Sequence, residues 1–162
     1  MQVRKRGQMI AMLFWVLLAS GPAWGWEGLV VAAVDGDSLE VNENSRFRQI
    51  RLYGIDSPEY GQPGWQAARA LTRALVLGQR VRVEPMDRDG YGRTVALVWC
   101  QGQLVNRELV RQGQAWVYRR YCREQPLCRE LDGLEQAARR AGLGLWRERA
   151  PEPPWAWRRH RP

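Results

Sequence analysis

Histidine is almost missing from this chain: His160, close to the C-terminus, is the only one. That excludes mechanisms built on a histidine base, including Ser-His-Asp triads and histidine-dependent nucleases. A zinc site is disfavoured, because there are three cysteines and the one histidine lies near the C-terminus. Lysine occurs once, at Lys5. No P-loop and no dinucleotide-binding glycine fingerprint is present. Catalysis must therefore rest on carboxylates, arginines, a tyrosine or a metal.

What is present is mostly arginine. The 162 residues carry a formal net charge of +8, nearly all of the positive charge from arginine. Guanidinium forks match phosphate oxygens in a way that a lysine point charge does not. A basic, arginine-rich domain points to a polyanion, most often nucleic acid. A GC-rich genome is the plain alternative source of the Arg/Lys ratio. The length fits one domain, and 45% hydrophobic with 26% charged residues is the balance of a folded globular chain. A monomer is the default expectation.

Residues 1–25 have the parts of a secretory signal peptide: Arg4-Lys5-Arg6, an apolar Met9–Ala19 segment, and Ala23-Trp24-Gly25 before a cut at Trp26. The apolar segment is too short to span ~30 Å of hydrocarbon as a helix. An uncleaved N-terminal anchor is the alternative. The expected product is exported, periplasmic or secreted, with no membrane span. In an oxidising compartment Cys122 and Cys128, six residues apart, are expected to form a disulfide. Cys100, on an apolar strand, reads as a small buried hydrophobe.

The spacing predicts strands over 29–34, 38–41, 46–55, 80–84 and 94–99, with hairpin tips at Asn42–Ser45 and Asp89-Gly90. Gly54 marks a bulge or a close backbone approach. Helices are expected over 65–77, from an Asn106 cap to Gly113, and from Leu127 to Ala141. The tail over 151–162 reads as an extended Pro/Trp/Arg-rich strap. Five short strands with about three helices give an α+β chain, mainly a five-stranded OB-type barrel, spanning 26–150.

The chemistry-bearing residues cluster in Asp35–Glu59. Asp35, Asp37, Asp56 and Glu59 are hard oxygen donors that suit a hard divalent cation, Ca²⁺ or another oxygen-loving ion. Asp35-Gly-Asp-Ser is not an EF-hand start, because its sixth position is Glu40 and its twelfth Arg46. A metal would need both segments, with Asp37 and Asp56 as the natural pair. Taken singly, each motif is also a plain turn. Arg51 and Arg93 could stabilise the charge that builds on phosphorus in phosphodiester hydrolysis, if both point inward.

The order Asp35-Gly-Asp37-Ser, Arg51-Leu, Asp56-Ser-Pro-Glu59, Asp89-Gly-Tyr91-Gly-Arg93 and Leu104-Val-Asn106 to Gly113 resembles the staphylococcal nuclease (thermonuclease) family over nearly the whole chain after residue 30. The resemblance implies a Ca²⁺-dependent nuclease on an OB-fold, cleaving DNA and RNA and leaving 3′-phosphates. By motif, Asp37 and Asp56 would bind Ca²⁺ through side chains and Ser57 through its carbonyl, where the family archetype has threonine. Glu59 would be the general base or orient the attacking water. Arg51 and Arg93 would hold the scissile phosphate, Tyr91 would contact substrate, and Asp35 would support the ligands. Gly90 stands where the archetype has lysine, and the cysteine loop replaces the corresponding archetype segment. A non-catalytic nucleic-acid-binding module on the same barrel is the rival reading, and an interaction domain docking through the Trp155–Trp157 tail is a third.

Overall fold

The computed structural model describes residues 25–160. Apart from Gly25, the expected signal peptide lies outside them. Among the described residues no helix is long and apolar enough to cross a membrane.

Alternating apolar residues build a closed barrel. The strands are β1 (Trp26–Ala33), β2 (Ser38–Glu43), β3 (Arg46–Leu52), β4 (Ile55–Asp56), β5 (Arg80–Arg88), β6 (Thr94–Cys100), β7 (Gln103–Leu104) and β8 (Trp116–Val117). The main sheet runs β3-β2-β1-β5-β6-β7, and a parallel β3–β6 pairing closes five strands into the expected barrel. Val30, Leu39, Val41, Ile50, Leu52, Val81, Val83, Ala96 and Val98 fill its interior. Full closure removes the exposed edges that a five-stranded open sheet would leave.

The expected strand over 46–55 is broken. Gly54 adopts a φ of +74°, which turns the chain between β3 and β4. A Cβ at Gly54 would lie 2.8 Å from Cys122 Sγ, so the position needs glycine for space as well. β4 then leaves the barrel and pairs with β8, placing Asp56 opposite Trp116. The two-residue β8 carries too short a pattern to be seen in the sequence.

The helices are α1 (Trp65–Val76), α2 (Val105–Arg111), α3 (Leu127–Arg140) and α4 (Pro154–His160). Among the described residues four helices replace the expected three, because 154–160 are helical rather than extended. Pro154 opens α4, where its missing amide and fixed φ are tolerated. Trp155 stacks on Tyr118 with centroids 5.2 Å apart and planes 7° apart. It joins a second small core of Trp116, Ala138, Leu145 and Trp146. Asn106 is not a cap. It lies inside α2, fully buried, and its side chain bonds the Val98 amide (3.1 Å) and the Tyr53 and Ala96 carbonyls (3.0 and 3.2 Å). Cys122 and Cys128 are disulfide-bonded, and Tyr53 Oη accepts the Arg123 and Glu124 amides beneath that loop. Cys100 is a buried free thiol whose pKa is raised by burial.

Candidate active site

Two carboxylate-bearing turns meet at one end of the barrel. Gly36, between β1 and β2, is there for space: a Cβ would fall 2.7 Å from Ser57 Cβ and 2.8 Å from Ala68 Cβ of α1. Its absence lets the turn lie directly on α1 and the Ser57 segment. Thr72 Oγ1 donates to the Gly36 carbonyl at 2.7 Å, and Asp35 Oδ1 accepts the Asp37 amide at 3.0 Å. Asp35 thus shapes the turn that presents Asp37. The Ser57 amide donates to Asp37 Oδ2 at 2.6 Å, joining the two acidic segments.

Arg51 lies between the carboxylates because of strand register. Ser38 faces Arg51 across β2–β3, and the Leu52 amide donates to the Asp37 carbonyl. The Arg51 guanidinium pairs with Asp37 and, at 2.6 Å, with Asp56 Oδ1. Asp37 is 2% exposed and Asp56 0%. Isolated charges so deeply buried would cost several kcal/mol each, and the shared arginine offsets that cost.

Arg93 arrives from the other hairpin. The parallel β3–β6 register sets Ile50 beside Thr94 and Arg51 beside Val95, which brings the 89–93 turn to the Arg51 end of the barrel. Asp89 accepts the Arg93 Nε at 2.7 Å and the Arg93 and Tyr91 amides at 2.9 and 3.0 Å. Arg93 Nη1 donates to Ser38 Oγ at 3.3 Å, and that hydroxyl in turn donates to Asp37 Oδ1 at 3.3 Å. The guanidinium therefore faces the acidic cluster rather than away from it. Burial pushes the Asp89 carboxyl up, but the Arg93 side chain, its amide and its charge, with the Tyr91 amide, bring it below the ordinary 3.8. Tyr91 is 89% exposed at the hairpin tip, within ring contact of Arg93.

Glu59 is placed by Gln62, whose Oε1 accepts the Glu59 amide at 2.9 Å. Its carboxylate pairs with a residue that sequence reasoning did not find. Arg158 of α4 donates to Glu59 Oε1 and, at 2.8 and 3.2 Å, to both Asp56 oxygens. Burial lowers the Arg158 pKa, but the bonds and charges of Asp56 and then Glu59 outweigh it and hold the guanidinium above its ordinary value. The available signal was Pro154 as a helix start, which puts Trp155 and Arg158 three apart on one helical face.

Among the described residues no three His, Cys, Asp or Glu side chains form a metal cage by themselves. The expected calcium set needs only two carboxylates with a carbonyl and water. Asp37 and Asp56 meet on a single guanidinium, and all the proposed donors are hard oxygens. That chemistry fits Ca²⁺.

A closed five-stranded barrel, with buried carboxylates and two inward-facing arginines at one end, has the make-up of a nuclease of the OB-fold class. The chain belongs to the staphylococcal nuclease family: the model for staphylococcal nuclease homologues matches residues 49–148. It is 38% identical over 154 residues to "Micrococcal nuclease" of Shigella flexneri, covering 89% of this chain and 87% of that protein. It is 37% identical over 154 residues to "Protein ParB" of Escherichia coli (89% and 86%), and 39% identical over 132 residues to "Uncharacterized endonuclease" of Escherichia coli O157:H7 (81% and 84%). The chain is accordingly a hydrolase of the nuclease class.

Proposed function

We propose that the chain is an exported, monomeric, Ca²⁺-dependent nuclease that hydrolyses phosphodiester bonds of DNA, RNA or both. The observation that carries this reading is the convergence of Asp37 and Asp56 on Arg51, with Arg93 linked to Asp37 through Ser38. Asp37, Asp56 and the Ser57 carbonyl are the residues that would hold Ca²⁺, which when bound neutralises phosphate charge and polarises water. Glu59 takes a proton from the attacking water. Water forms the new P–O bond, the bond to the leaving sugar oxygen breaks, and that oxygen takes up a proton from solvent to leave as a hydroxyl. Arg51 and Arg93 face the equatorial oxygens, where negative charge is greatest at the transition state. Tyr91, open to solvent, meets the substrate strand. Gly90 supplies no cation there, so phosphate affinity rests on the arginines.

Export is supported by the N-terminal composition and by the Cys122–Cys128 disulfide, which suits an oxidising compartment. The test is incubation of the purified chain with DNA and with RNA, in Ca²⁺ and then in EDTA. Cleavage in Ca²⁺ that stops in EDTA is expected. Binding without turnover in either condition would replace the enzyme with the non-catalytic module.

A further inference from the structure

The C-terminal helix and the residues before it are held beside the acidic cluster through Glu152, Trp155 and Arg158. Gln62, which positions Glu59, also donates through Nε2 to the Glu152 carbonyl at 2.6 Å. Trp155 stacks on Tyr118. Arg158 reaches Asp56 and Glu59. The first two contacts fix the path of the tail, and the third puts its charge where the proposed calcium ligands are.

Both oxygens of Asp56 have arginine partners. Oδ1 faces Arg51 and Arg158, and Oδ2 faces Arg158. A divalent ion that takes an Asp56 oxygen must therefore displace or repel a guanidinium already there. The two arginines differ in how firmly they are held. Arg51 lies within β3, paired with strands on both sides. Arg158 lies on a seven-residue terminal helix reached through Pro151, Pro153 and Pro154, and its side chain is 40% exposed. Of the two, Arg158 is the one that can leave without opening the barrel.

We propose that Arg158, which also pairs with Glu59, is an internal cation of the site that competes with the divalent ion for Asp56, so that ion binding undocks the C-terminal helix. This rests on the calcium reading above. In the ion-free protein Arg158 neutralises carboxylates that would otherwise repel one another. In the ion-bound protein it is expelled by like charge, which frees Glu59 to face water. By linkage, anything that removes Arg158 tightens ion binding, and the ion loosens α4 by the same factor.

The experiment is calorimetric titration of Ca²⁺ into the purified chain, Arg158→Gln and Arg159→Gln, with hydrogen exchange of residues 154–160 measured with and without Ca²⁺. Arg159→Gln removes one charge from the same helix and controls for net charge. The expected result is that Arg158→Gln binds Ca²⁺ at least tenfold more tightly, that Arg159→Gln binds like the parent, and that Ca²⁺ deprotects 154–160 in the parent. Equal or weaker binding by Arg158→Gln, or equal tightening by Arg159→Gln, overturns the competition and leaves the calcium site standing. No binding by any of the three overturns the calcium reading and this inference together.

Discussion

Replacing Asn106 with alanine removes one side chain that holds three pieces of backbone. Asn106 accepts the Val98 amide and donates to the Tyr53 and Ala96 carbonyls, at 0% exposure. The Ala96 carbonyl keeps a partner, because it also accepts the Tyr53 amide at 2.8 Å. The Val98 amide and the Tyr53 carbonyl lose this bond in a site closed to water. At about 1–3 kcal/mol for each buried group left unsatisfied, the cost is about 2–6 kcal/mol. That is a large part of a total stability of roughly 5–15 kcal/mol. With a urea slope of about 2 kcal/mol per molar, the midpoint falls by about 1–3 M. Tyr53 opens the Gly54 turn that leads to Asp56, so the variant should lose activity even where it is still folded. Urea unfolding followed by circular dichroism, at constant slope, measures the loss. A cost under about 1 kcal/mol would refute the claim that Asn106 ties α2, β6 and the Tyr53 turn together.

Arg93→Ala should lower kcat by about 10²–10³-fold and cost at most about 1 kcal/mol of stability, since the side chain gives up a partly exposed ion pair to Asp89 at 2.7 Å and a 3.3 Å link to Ser38; steady-state cleavage of DNA beside a melting curve separates the two. Glu59→Gln should lower kcat by about 10²–10⁴-fold with substrate binding retained, read by cleavage and by anisotropy of a labelled oligonucleotide. Reducing Cys122–Cys128 opens a short loop and should cost about 2 kcal/mol, measured as a drop in the urea midpoint with and without dithiothreitol. The Asp89 pKa lies lower in the folded chain than its unfolded 3.8. Its contribution is therefore present above that value and lost as the pH falls through the lower, folded pKa. Stability followed downward from pH 5 should drop less steeply in Asp89→Asn than in the parent.

The barrel was legible because its strands announce themselves locally. Val81 and Val83, or Ile50 and Leu52, alternate in a way that only a half-buried strand needs. The acidic turns were legible for the same reason, and the order of motifs tied them to one family. What was hidden depends on distant partners. Asn106 looks like a cap until the Tyr53 carbonyl arrives 53 residues away in sequence. The break in the third expected strand follows from Gly54 meeting Cys122. Trp116–Val117 becomes a strand only because Ile55–Asp56 lies beside it. The tail hid most: three prolines suggested extension, yet Pro154 begins a helix whose Arg158 reaches the site. A sequence pattern shows which residues could bear charge, but not which charges a tertiary contact brings together.

The central claim is that Asp56 belongs to one calcium-dependent phosphodiesterase site with Asp37 and Arg51. The most direct test is the initial rate of DNA cleavage by the parent and by Asp56→Asn across a Ca²⁺ titration. The parent should show saturable dependence on Ca²⁺ and no cleavage in EDTA, and Asp56→Asn should be nearly inactive at every Ca²⁺ concentration that saturates the parent. Cleavage by Asp56→Asn at the parent's rate, or a parent rate unchanged by EDTA, would contradict it.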